Sequence, residues 1–273
     1  MAAGRPEELG DLSAALASRG AVDVDARPQS PVRVVVRAHF EDEDGARAAV
    51  RELRAGGTLA VVGPATAGHE TAWRRLTAPT WFADRACVCA PWSEFDRSDA
   101  EAVVEIDPGG GFGSGGHPTT ALVLERIAAL LRPGDKILDV GCGSGVLAVS
   151  GARLGAEAVV AIDVDETAVD ATRHNAALNG VGDRVDARAE SLAAIGGRFD
   201  LVVANIHAPI LVAMAPDLGR VTAPGGHVVL SGLSRGQVSA VTTAMRPLAV
   251  VDRRERDEWV ALTLASCEPK RSL

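Results

Sequence analysis

The run DVGCGSG, from Asp139 to Gly145, sets glycines at 141, 143 and 145 between the apolar segment KILDV and the amphipathic segment VLAVSGARLG. Glycine removes Cβ atoms where a ligand must touch backbone. A strand before such a turn and a helix after it make a nucleotide or nucleoside seat credible. The dinucleotide fingerprint G-x-G-x-x-G needs a glycine at 146, where Val146 stands. The next apolar segment ends in AIDVD, and Asp163 falls at the strand edge where a carboxylate accepts hydrogen bonds from both hydroxyls of a ribose. Asp165 and Glu166 then open a helix as N-cap and first-turn charge. Further on, ARAES offers Glu190 and nearby amides to an adenine.

Phosphate chemistry is missing from these segments. The second glycine-rich stretch, GGGFGSGGHPTT, has His117 and Pro118 where a phosphate loop of the form G-x-x-x-x-G-K-[ST] needs its Lys. Neither glycine loop contains Lys or Arg. Helix amides alone can hold a phosphate, but a pyrophosphate would be short of cationic partners here. The ligand class that remains is a nucleoside without phosphates, with S-adenosylmethionine favoured.

The elements around these residues fall into two textures. EELGDLSAALASRG reads as a helix, AVDVDA and PVRVVVRAHF as strands, DGARAAVRELRAGG as an amphipathic helix closed by glycines, and TLAVVG as a strand. This αββαβ order predicts a small α+β domain over residues 1–68. Residues 69–98 have few periodic signals and read as a linker, with Trp73, Trp81 and Trp92 as packing anchors. From residue 99 to 273, short apolar strands alternate with helices, which predicts a parallel sheet covered on both faces. The helix TTALVLERIAALL follows Pro118, with Thr119 or Thr120 near its start. The last strand, EWVALTLA, has no helix after it and is expected to lie antiparallel.

Composition narrows the partners. The net charge is −8 over 273 residues, aromatics make up 3%, and Tyr is absent, which argues against a base-stacking nucleic-acid platform. The four cysteines show no C-x-x-C spacing, and six scattered histidines form no H-x-x-x-H pair, so no metal site is expected. No signal peptide or membrane-spanning run is visible, which predicts a cytoplasmic protein with buried or idle thiols.

The stretch DPGGGFGSGGHPTTALVLE, with ILDVGCGSGVLAVSGARLGA, AIDVDETAV, VVANIHAPILVAMAPDL and EWVAL, resembles the ribosomal protein L-eleven (L11) methyltransferase family. The similarity runs from about Ala72 to Ala265, and the loop DPG-x-x-FG-[ST]-G-x-HPTT is its most specific part. The resemblance implies a Rossmann-like class I methyltransferase sheet with a smaller, abbreviated ferredoxin-like N-terminal domain. It implies S-adenosylmethionine as cofactor, with Thr120, Gly141, Asp163 and Asn205 around it; Gly143 joins them from the glycine turn. Asn205, at the end of the apolar run DLVVAN, is the expected catalytic residue, its side-chain oxygen accepting a hydrogen bond from the attacking amine. His117, before a proline, is expected to fix its turn rather than act as a base.

The implied activity is methylation of amino groups, lysine side chains or the N-terminus, of ribosomal protein L11, free or on the ribosome. The alternatives are a methyltransferase for another protein or a small molecule, a nucleotide-dependent oxidoreductase and an idle scaffold. The chain departs from the family pattern in Pro209, which follows Asn205 by four positions rather than five. The opening MAAGRP is too short and polar to supply the family's first strand, so that strand is expected to be missing.

Overall fold

The computed structural model describes residues 116–265 without a break, most of 79–107, and from the first 78 residues only Leu16 and the segments 2–4, 21–30, 33–40, 43–55 and 59–60. Trp73, Trp92, Cys267 and the glycine-rich stretch 108–115 therefore lie outside the described residues. The chain divides into two compact units, the first mainly Met1–Ala78 and the second mainly Pro79–Leu273.

The first unit contains β1 (Ala2–Gly4), β2 (Ala21–Ser30), β3 (Arg33–Phe40), α1 (Glu43–Ala55) and β4 (Leu59–Ala60). Its sheet runs β2-β3-β1-β4 with every neighbouring pair antiparallel, the ferredoxin-like order. Ala2, Ala3 and Gly4 pair with Val36, Val35 and Val34. The expectation of a missing first strand is thus corrected. Three residues suffice because β1 sits between two partners that satisfy its backbone on both sides, so side-chain hydrophobicity is not what recruits it. In α1, Ala49 is buried while Asp44, Arg47 and Arg51 are exposed, the one-sided pattern of a helix lying on a sheet.

The second unit begins with β5 (Thr80–Phe82), β6 (Ala86–Cys89) and β7 (Ala102–Glu105). They form a three-stranded sheet, β5 antiparallel and β7 parallel to β6. Two strands therefore occupy part of the stretch that shows few periodic signals. All four residues of β6 are buried, including the free thiols Cys87 and Cys89, whose spacing of two in an apolar run is that of one face of a strand. Trp81 is 40% exposed and meets Phe95 edge-on, which makes it a weaker anchor than expected.

Then follow α2 (Pro118–Leu130), β8 (Lys136–Val140), α3 (Val146–Arg153), β9 (Ala158–Asp163), α4 (Glu166–Leu178), β10 (Val185–Ala189), β11 (Phe199–Asn205), α5 (Ala208–Val221), β12 (Thr222–Ser234), α6 (Val238–Ala244), β13 (Ala249–Arg256) and β14 (Trp259–Ala265). The seven strands order as β10-β9-β8-β11-β12-β14-β13, the first five parallel. As expected, β14 is antiparallel, lying between β12 and β13.

Alternate residues feed two cores. Ile137, Leu201, Val203 and Val229 face α2, α3 and α4. Leu138, Val140, Val202 and Leu230 face α5 and α6. Each fully buried aliphatic side chain contributes ~1.5–3 kcal/mol, so the central strands are the rigid part of the unit. The chain winds from β8 outward to β10, then returns beyond β8 to β11. That reversal opens a crevice at the carboxyl ends of β8 and β11.

Candidate active site

A cavity of about 470 Å³ occupies that crevice, within the usual size range of cofactor pockets. Thr120, Gly141, Gly143, Asp163 and Asn205, drawn from four separate segments, all line it.

The glycine turn is shaped by three residues at positive φ: Gly141 at 75°, Gly143 at 54° and Gly145 at 79°. Their uses differ. A Cβ on Gly141 would stand 2.7 Å from the Ile206 side chain that follows Asn205. One on Gly145 would stand 2.9 Å from the Thr172 Cα of α4, and Gly145 is not among the cavity-lining residues. The third glycine thus makes room for a packing helix, which corrects the expectation that all three make room for a ligand.

Asp163 is preset by backbone. Its Oδ2 accepts the Gly143 amide and its Oδ1 accepts the Asp165 amide, each at 3.1 Å. A carboxylate has about four acceptor sites, so both oxygens retain capacity for a diol. Next to it Val164, an apolar side chain 81% exposed, also lines the cavity. Glu190 also lines the cavity. Asp165 caps α4 by accepting the Thr167 amide at 2.9 Å.

On the opposite wall, helix α2 starts at Pro118, and its cap is His117 rather than a threonine. His117 Nδ1 lies 2.8 Å from the Thr119 hydroxyl, and its ring meets Trp259 edge-on at 5.3 Å. The histidine fixes the turn, as its place before a proline suggested. Thr120 is fully buried, and its Oγ1 accepts from Asn205 Nδ2 at 3.3 Å. That bond engages the amide nitrogen of Asn205.

Sequence reasoning missed Asp139, although an acid inside an apolar strand is a visible signal. It is fully buried; Oδ2 accepts the Ala148 amide at 3.0 Å, capping α3 where Gly145 has no side chain to do so. Oδ1 has no partner among the described residues. Burial, with the nearby charge of Asp163, raises its pKa to about 7. Burial also pushes the Cys142 thiol up to about 12, which leaves it a neutral wall of the cavity and no nucleophile.

The described lining holds two carboxylates, Asp163 and Glu190, and no Lys or Arg. Such a seat suits a cationic nucleoside and gives a pyrophosphate no counter-charge. Strand order, glycine turn and the acid at the end of β9 together define the Rossmann-like sheet of class I S-adenosylmethionine-dependent methyltransferases.

A family model described as ribosomal protein L11 methyltransferase (PrmA) matches residues 19–266, and the chain belongs to that family. Similar curated proteins named ribosomal protein L11 methyltransferase include one from Symbiobacterium thermophilum, 44% identical over 70% of this chain and 63% of its own length. Another, from Geobacter sulfurreducens, is 43% identical over 70% of this chain and 64% of its own. The matched region thus spans less than two thirds of these relatives. A crystal structure of ribosomal protein L11 methylase from Lactobacillus delbrueckii subsp. bulgaricus aligns with TM-score 0.64 and 29% identity, over 68% of this chain and 97% of that one.

Proposed function

We propose that this chain transfers methyl groups from S-adenosylmethionine to amino groups, lysine side chains or the N-terminus, of ribosomal protein L11. The observation that carries the reading is the meeting of Asp163, the glycine turn, Thr120 and Asn205 in one cavity free of Lys and Arg among the described residues. The names of the relatives, which describe L11 methylation, point the same way.

In this reading Asp163 takes the ribose hydroxyls, Val164 lies against the adenine, and Gly141 and Gly143 present backbone to the rest of the nucleoside. Thr120, in the first turn of α2, serves the methionyl carboxylate, where the helix N-terminus favours negative charge. When bound, the cofactor supplies an electrophilic methyl group on a sulfonium. Asn205 Oδ1 accepts an N–H of the substrate amine and aims its lone pair, so the chain contributes chiefly orientation. Ile206, Ile210 and Met214 give the cavity apolar walls, and a dry wall lowers an amine's pKa, raising the neutral fraction that can attack. The proton on the new ammonium product leaves to solvent, and no dedicated base is required.

Residues 1–68 are assigned to gripping the protein substrate and residues 99–273 to the chemistry, with the work carried out in the cytoplasm. No helix among the described residues is long and apolar enough to cross a membrane. The test is incubation of the purified chain with S-adenosylmethionine and L11, read by intact-mass spectrometry of L11. Added methyl groups support the reading. Tight NAD binding with no S-adenosylmethionine binding, measured by calorimetry, would overturn it.

A further inference from the structure

One buried side chain outside the cavity touches both the glycine turn and the base of the glycine-rich stretch. Asn175, in α4, is fully buried. Its Nδ2 donates to the Ser144 carbonyl in the glycine turn at 2.8 Å and to the Asp107 carbonyl at 2.9 Å. Its Oδ1 accepts the Asp107 amide at 2.9 Å. One side-chain amide thus satisfies both backbone groups of Asp107, as a neighbouring strand would, and ties them to the turn. Asp107 is the last described residue before 108–115, and the described chain resumes at Gly116, one residue before the cap of α2. Neither Asn175 nor Asp107 lines the cavity.

One turn along the same helix, Asn179 makes a comparable clip. Its Oδ1 accepts the Glu105 amide at 2.8 Å, and its Nδ2 donates to the Glu105 carbonyl at 2.6 Å and the Asn175 carbonyl at 2.8 Å. These bonds hold the end of β7 to α4, and none of them goes to the glycine turn. The two asparagines therefore separate two tasks. Both anchor the strand, and Asn175 also couples the strand's end to the turn.

We propose that Asn175 is a positioning residue for cofactor binding. It locks Ser144, and through it the backbone of Gly141 and Gly143, to the backbone of Asp107 just past β7, so a ligand that reads the turn is coupled to that strand end. This rests on the reading of the cavity as the seat of S-adenosylmethionine. A rigid link is expected because three of the four hydrogen bonds open to the amide are made in a buried setting, where such bonds are costly to break.

The experiment compares the full chain with its Asn175→Ala and Asn179→Ala variants, measuring calorimetric Kd for S-adenosylmethionine and the thermal unfolding midpoint. Both variants should unfold at a lower temperature, since each loses a buried set of hydrogen bonds. Asn175→Ala should also raise Kd about tenfold or more, and Asn179→Ala less than about threefold. Equal Kd changes in the two variants, or an Asn175→Ala Kd within about threefold of the parent's, overturn the proposal. Amide exchange in the unmodified chain decides the matter independently of whether the variants fold. Saturating S-adenosylmethionine should slow exchange at the Asp107 amide, and unchanged exchange overturns the coupling. A parent chain that does not bind S-adenosylmethionine overturns the functional reading together with this one. Binding by the parent with no loss in Asn175→Ala overturns only this one.

Discussion

Asp139 is a carboxyl group in a place that does not tolerate its charge. Its folded pKa of about 7 lies above the value near 4 of an unfolded aspartate, so the folded chain binds the proton more tightly. The stability contributed by the neutral carboxyl is fully present below about pH 4 and is lost as the pH rises through about 7. Asp139→Asn keeps an acceptor for the Ala148 amide and carries no charge. It should flatten the decline in stability between about pH 4 and 7 and leave the chain more stable than the parent above it, as read by urea unfolding at several pH values. A variant with the parent's slope would show that another group titrates in that window. Asp163 is half-buried, and two backbone amides donate to its carboxyl oxygens. Asp163→Ala should weaken S-adenosylmethionine binding by ~1.5–3 kcal/mol, the scale of hydrogen bonds to a charged group. Asn205→Ala should slow methyl transfer by ~2.7–4 kcal/mol of barrier with folding little changed, because its proposed task is orientation at the reacting centre. Turnover equal to the parent's would reduce Asn205 to a loop cap.

At the scale of elements, the site depends on how closely two turns approach one another. Asn205 and Ile206 leave β11 between Gly141 on one side and Gly232 of β12 on the other. A Cβ at Gly232 would stand 2.5 Å from the Ile206 carbonyl oxygen, and Gly232 also holds φ at 83°. Gly232→Ala should therefore displace the loop that carries Asn205. The expected outcome is a loss of stability of ~1–3 kcal/mol from the left-handed backbone, with a fall in kcat for methyl transfer beyond what the unfolded fraction explains. Equilibrium unfolding and steady-state kinetics on one preparation separate the two effects. Strand β13 illustrates an element that pattern alone conceals. Its sequence AVVDRRER is exposed at nearly every position, so no apolar alternation marks it. It is a strand because β14 offers a free edge, and its paired charges, such as Arg254 with Asp252, suit an edge that must not recruit another chain.

For the molecule as a whole, the division of labour between the two units is the point to test. A truncated chain beginning at Pro79 keeps β5 and β6 beside β7, whereas a cut near residue 99 would strip β7 of the strand it pairs with. The shorter protein 79–273 should bind S-adenosylmethionine with the full chain's affinity and fail to methylate L11, measured by calorimetry and intact mass. L11 methylated at the full rate by the truncated form would show that the first unit is dispensable.

The sequence by itself determined the sheet-and-helix alternation after residue 99, the glycine turn, the acid at the end of β9 and the lack of Lys and Arg in both glycine loops. Each of these is local: a short apolar run, a fixed spacing or a missing cation is legible without knowing what lies across the fold. Tertiary structure decided the rest. Only packing shows that Gly145 makes room for Thr172, that Asp139 caps a helix nine residues away, and that Asn175 joins Ser144 to Asp107. Strands β1 and β13 likewise form because a neighbour offers unpaired backbone, which neither AAG nor DRRER can announce. Hydrogen bonds between distant segments leave no periodic trace in a chain, since one polar residue at one position serves them and its partner is a backbone group that every residue carries.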